Sequence, residues 1–192
     1  MKKISSCLLL LVISHTVAAK NISNSQDQNS TKKTEKQEIE VAFSPNEQAE
    51  ELVVKTIYSA KSSIRLASYY LTSSTIADAL IDAKKSGIDV AIVADYKANM
   101  LGGRTDATHQ SFEKLIKSGI PIRTVNIYPI HHDKYIIVDG AHVETGSFNY
   151  TKGALKNSEN VLVVWNDPKL ADQYLKHWQS RWDQGEPALP AN

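Results

Sequence analysis

Six residues of this 192-residue chain stand in one array: His132, Lys134, Asp139, Gly146, Ser147 and Asn149, written H-x-K-x4-D-x6-G-S-x-N. A histidine and a lysine two apart on a strand point to the same face. That places a nucleophile or proton carrier beside a permanent positive charge. The set suits chemistry at a phosphodiester, where an imidazole attacks phosphorus while ammonium and amide donors hold the anionic oxygens. Lys134 would grip a non-bridging oxygen as a point charge, Asn149 would donate its amide to the same group, and Ser147 would hydrogen-bond the site. A nucleophilic histidine also needs an acceptor on its other ring nitrogen, and Glu159, in Asn157-Ser158-Glu159-Asn160, is the candidate. His131 invites a metal reading with His132, but neighbours on a strand face opposite ways, so no metal site is expected.

The array needs a scaffold. Asp139-Gly140 between two apolar runs is a strong hairpin signal, predicting strands 134–138 and 141–147. A two-residue turn would set His132 opposite Ser147 and Lys134 opposite Thr145, with Asn149 one diagonal step away. Asp139 differs from His132 by an odd number and occupies the turn, which assigns it to fixing the hairpin.

Upstream, Ser44-Pro45-Asn46-Glu47 reads as a capping box opening a helix to about residue 62, with Ala49, Leu52, Val53, Thr56 and Ile57 inward. A strand over 64–71, a helix over 74–86 closed by Gly87, and a buried strand over 88–94 follow. A helix over 108–118, a strand over 120–126, another over 161–165 and a last helix over 168–184 complete the order. The β-α-β-α-β alternation predicts an α/β fold, a mixed and largely parallel sheet covered by helices, in a single domain. Lys97 and Arg104, in the loop that leaves the buried strand, and Lys152, with Lys156 just past the array, are the expected substrate-binding cations.

Composition bounds the setting. Lys2 and Lys3, the apolar run Cys7–Ile13 and the small residues Val17-Ala18-Ala19 predict a cleaved signal peptide over 1–19. Residues 20–40 read as a polar tether, 41–187 as the catalytic domain and 188–192 as a tail. Cys7 is the one cysteine, so the exported chain, periplasmic or secreted, carries no disulfide and no integral membrane segment. Taking Lys2 and Lys3 from the 22 basic residues leaves 20 against 21 acidic ones, so a field for phosphate must be local.

The segment 131–164, HHDKYIIVDGAHVETGSFNYTKGALKNSENVLVV, resembles the catalytic signature of the phospholipase D superfamily. It is similar in particular to the small periplasmic endonucleases that carry one signature per chain. The resemblance implies a phospholipase D-type fold, a covalent phosphohistidine on His132, and catalysis without divalent cations or other cofactors. It counts Asp139 in the motif and matches Glu159 to the endonucleases' acid. It also implies a homodimer, because double displacement needs a nucleophile and a separate acid, and this chain offers one suitable histidine. The site would lie on the two-fold axis. Nucleic acid is the expected substrate, with DNA ahead of RNA. A phospholipase D acting on phosphatidylcholine-type lipids is the alternative, and a non-catalytic phosphate-binding module a third.

Overall fold

The computed structural model describes residues 36–101 and 110–189. The expectations for the signal peptide, most of the tether and Arg104 fall outside them. Among the described residues eight strands form one sheet in the order β1-β7-β6-β5-β2-β3-β4-β8. They are β1 (Glu38–Ser44), β2 (Ser63–Ser68), β3 (Asp89–Asp95), β4 (Ile122–Val125), β5 (Lys134–Val138), β6 (His142–Gly146), β7 (Glu159–Trp165) and β8 (Glu186–Pro187). The helices are α1 (Ala49–Tyr58), α2 (Ser74–Lys85), α3 (Tyr96–Met100), α4 (Gln110–Lys117) and α5 (Pro168–Gln184).

The expected helix-covered α/β sheet is present and mixed, but it is not largely parallel as predicted: only β2-β3-β4 run parallel. There α2 and α4 carry the chain back across the sheet, as parallel neighbours require. The hairpin β5-β6, then β7, β1 and β8, add antiparallel partners on both sides. One face packs on α1, α2 and α4 through Leu52, Val53, Ile57, Leu80, Ile92, Phe112 and Ile136. The other takes α5, where Ala171 and Trp178 meet Ala67, Val93, Tyr135 and Ile137. Trp178 carries its indole N–H into this interface and donates it to the Leu66 carbonyl at 2.9 Å, so a large side chain is buried without an orphan donor.

Several expectations hold in detail. Ala49, Leu52, Val53, Thr56 and Ile57 are the buried residues of α1, and α5 covers 168–184 as read. Others are corrected. The capping box does not form: α1 begins at Ala49 after Gln48, and the buried Ser44 hydroxyl donates to the Ala154 and Asn157 carbonyls. Strand β1 starts at Glu38, inside the predicted tether, because its seven residues pair with β7 along the sheet edge and Glu40 is met by Lys55 of α1 at 2.7 Å.

The hairpin departs from its expected register by one residue. Asp139 and Gly140 adopt positive φ, and Ala141 N–H donates to the Val138 carbonyl at 3.0 Å, so the tight turn forms as predicted. The ladder nevertheless pairs Val138 with His142 and Tyr135 with Thr145. Ala141 and His142 together oppose Val138, a bulge that slips every later pair.

Behind β6, Glu144 is 1% exposed and receives the Tyr150 hydroxyl at 2.6 Å. Burial pushes its carboxyl up to about 8, against the lowering effect of Tyr150. A carboxyl whose folded value is raised stabilises the fold fully below its unfolded value, near 4.5, and that contribution fades as pH rises through about 8. Denaturant titrations from pH 5 to 9 should therefore show wild type losing stability relative to Glu144→Gln as pH rises. A constant difference between the two proteins would contradict this.

Candidate active site

Strand polarity gathers the site. The C-terminal ends of β2, β3 and β6 and the N-terminal ends of β5 and β7 lie at one end of the sheet, since Ser68 pairs with Lys134 and Gly146 with Val161. His132 stands two residues ahead of β5 and is exposed, whereas Lys134 opens the strand and is 8% exposed.

Two contacts fix this approach to β5. The Asp95 carboxylate, at the end of β3, accepts Ala98 N–H at 2.7 Å and His131 N–H at 2.8 Å. Tyr69, just past β2, offers one ring to both motif residues: the His132 ring centroid lies 4.7 Å away and Lys134 Nζ 5.4 Å away. Lys134 Nζ also donates to the His132 carbonyl at 2.8 Å. Burial lowers the ammonium's pKa, and the neighbouring Asp133 and Glu159 charges oppose that shift.

His132, Lys134 and Ser147 line one cleft of about 600 Å³. They do so despite the slipped hairpin register, because the chain leaves the ladder after Gly146. Ser147 N–H and Phe148 N–H both reach the Asn160 carbonyl, at 3.1 and 3.4 Å. Gly146 is required here, since a Cβ would run into that same carbonyl. Ser147 Oγ donates to Glu159 at 2.6 Å and accepts Asn160 N–H at 3.0 Å. The second Glu159 oxygen accepts from the Asn157 amide at 3.1 Å. The carboxylate expected to orient His132 is thus held instead by Ser147 and Asn157. Asn149 follows on the same segment, with Oδ1 buried and unpartnered.

Asp139 lies at the opposite end of β5. Its carboxylate accepts the backbone N–H groups of Lys61, Ser62 and Ser63 and the Ser62 hydroxyl, each at 2.8 Å. Burial acts to raise its carboxyl, and these donors outweigh it and hold the group below its ordinary value. It ties the hairpin to the start of β2, at the end of β5 away from His132 and Lys134. Lys97 is exposed on α3 and donates to the Pro129 carbonyl at 3.3 Å, in the segment leading to His132. Lys152 is exposed on the turn after Tyr150.

The far wall of the cleft was not expected from sequence. Gln173, Tyr174 and His177 of α5 supply it, and His177 Nε2 contacts Asp133 at 3.0 Å. Their three- and four-residue spacing on α5 is the signal that could have found them. Among the described residues, no three carboxylate, histidine or cysteine side chains gather as a metal-holding group. The arrangement provides an exposed imidazole beside a largely buried ammonium in an open cleft, which suits a tetrahedral anion.

Comparison with known proteins places this geometry in context. A family model described as cardiolipin synthase, PLD-like domain, matches residues 53–182. A phospholipase D of Rickettsia bellii is 36% identical over 147 residues, covering 74% of this chain and 68% of that protein. The crystal structure of a phospholipase D family member, Nuc from Salmonella typhimurium, superposes with a TM-score of 0.76 at 48% identity, covering 80% of this chain and 99% of that one. NucT from Helicobacter pylori shares the fold, with a TM-score of 0.70 at 24% identity over 80% of this chain and 100% of that one.

Replacing Lys134 by methionine should weaken inorganic phosphate binding about tenfold or more, the scale of a hydrogen bond to a charged group. Titration followed through the His132 ring resonances would measure it, and an unchanged affinity would remove Lys134 from the anion site.

Proposed function

The chain belongs to the phospholipase D superfamily and is a phosphodiesterase; from that premise we propose that it is a metal-independent nuclease cleaving DNA, and RNA as a second substrate, through a covalent phosphohistidine. The observation that carries the proposal is the exposed His132 and the buried Lys134 sharing the Tyr69 ring at the mouth of an open cleft. A polyanion can lie across such a mouth. The 48% identity with Nuc over nearly all of that protein supports the nuclease reading over the lipid one, while the Rickettsia relative keeps phospholipase D as the second reading.

In the first step a ring nitrogen of His132 attacks phosphorus and the bond to the leaving oxygen breaks. Lys134 and Asn149 stabilise the charge on the non-bridging oxygens. The leaving oxygen takes a proton from an acid. Water then attacks the phosphohistidine, yields its proton to the same group, and the P–N bond breaks to restore His132.

The acid is His132 of a second subunit. A homodimer with its site on the two-fold axis supplies two histidines from one motif. An apolar strip supports this arrangement: Ile39, Val41 and Phe43 on β1 are 61%, 56% and 45% exposed. By register they share the α5 face of the sheet, since Val41 pairs with Leu162, Leu162 with Thr145 and Thr145 with Tyr135. Helix α5 packs over β2 to β6 and leaves this strip uncovered. Contiguous exposed apolar surface of this kind is the usual mark of an interface.

Two experiments test these claims. Residues 20–192 in EDTA should degrade plasmid DNA, leave phosphatidylcholine vesicles intact and lose activity in His132→Ala. Choline release with intact DNA would replace the nuclease reading with the phospholipase one. Subunit mixing with excess His132→Ala should make activity fall as the square of the wild-type fraction, because mixed dimers hold one histidine. A linear fall would sink the shared site.

A further inference from the structure

Tyr70 lies one residue beyond Tyr69 and is 38% exposed. Its ring meets Tyr69 edge-on, with centroids 4.5 Å apart, and Tyr69 in turn meets the His132 ring. Tyr70 therefore stands within two ring spacings of the nucleophile, about the span between a backbone phosphate and its base. An exposed tyrosine on a loose loop would mean little. This one is mounted on a rigid pedestal. The buried Asn99 side chain clamps the backbone on both sides of it, donating to the Tyr69 carbonyl at 2.6 Å and accepting Leu71 N–H at 3.1 Å. Thr72 and Ser73 N–H then both donate to the Tyr150 carbonyl at 2.9 Å, and Leu71 is fully buried. The fold thus spends a buried amide and several backbone bonds on holding an aromatic face open to solvent. Pre-organisation of this kind removes the ordering cost of binding.

We propose that Tyr70, braced edge-on by Tyr69, stacks on the base next to the scissile phosphate, so that the site selects nucleic-acid strands whose bases are free of a duplex stack. The proposal rests on the nuclease reading. Aromatic faces accept any base, which fits cleavage with little sequence preference. A duplex keeps its bases turned inward and denies Tyr70 its partner, so duplex DNA is still cut but without the help of this contact. The ring need not donate a hydrogen bond, so phenylalanine should serve as well.

The test compares wild type, Tyr70→Ala and Tyr70→Phe on two oligonucleotides of equal length, one of thymidines and one abasic throughout. Tyr70→Ala should raise KM for the thymidine strand about tenfold with kcat held, leave KM for the abasic strand unchanged, and be rescued by Tyr70→Phe. Equal losses on both strands, no loss on either, or a failure of Tyr70→Phe would overturn the stacking role while leaving the nuclease intact. If wild type cuts neither strand yet releases choline from phosphatidylcholine vesicles, the nuclease reading falls and the stacking role with it.

Discussion

The Asp95 carboxylate is the constraint around which the working end of this molecule is organised. It sits 2% exposed at the end of a buried strand, where an unpaired charge would be costly. Each oxygen accepts one backbone N–H, from Ala98 on one side and His131 on the other. One group thereby starts α3 and pins the irregular segment that delivers His132. The placement of Asn99 follows from the same turn, since its amide also donates to the Asp95 carbonyl at 2.8 Å. A charge satisfied inside the protein thus sets the position of a histidine that remains outside it.

The two principal motif residues are treated oppositely by solvent. Lys134 has been taken out of water and held over the Tyr69 ring and a carbonyl, so its charge is directed and poorly screened. His132 keeps its access to solvent, with its ring tilted against Tyr69. Glu159 and Asp133 lie close enough to favour the charged form of Lys134.

Much of this was legible in the sequence, and the failures have identifiable causes. The inward set of α1 follows from helical spacing alone, and α5 announces itself by Asp167-Pro168 and a paired tryptophan face. The Asp139-Gly140 turn is likewise local and forms as its residue types demand. Register is not local: a bulge at Ala141 and His142 shifts it, and no residue there carries a glycine or proline to mark the bulge. Ser147 still reaches the cleft because Gly146 lets β6 and β7 approach too closely for any side chain. Asp139 illustrates the converse, a motif residue whose spacing is kept by turn geometry at the far end of the strand. Asp95, Asn99 and the cleft wall of α5 escape a motif search because they come from separate elements that only tertiary packing unites.

The direction of β1 has a practical consequence. Glu38 pairs with Trp165 and Ser44 with Glu159, so the strand begins about 20 Å from the catalytic end of the sheet, on seven residues' rise. A bead, surface or fusion partner joined ahead of Glu38 is therefore attached behind the catalyst. Immobilised in that way the protein would present its cleft outward, toward the bulk phase. Attachment by lysine chemistry at Lys97 or Lys152, both on the other end, would turn the same cleft toward its support.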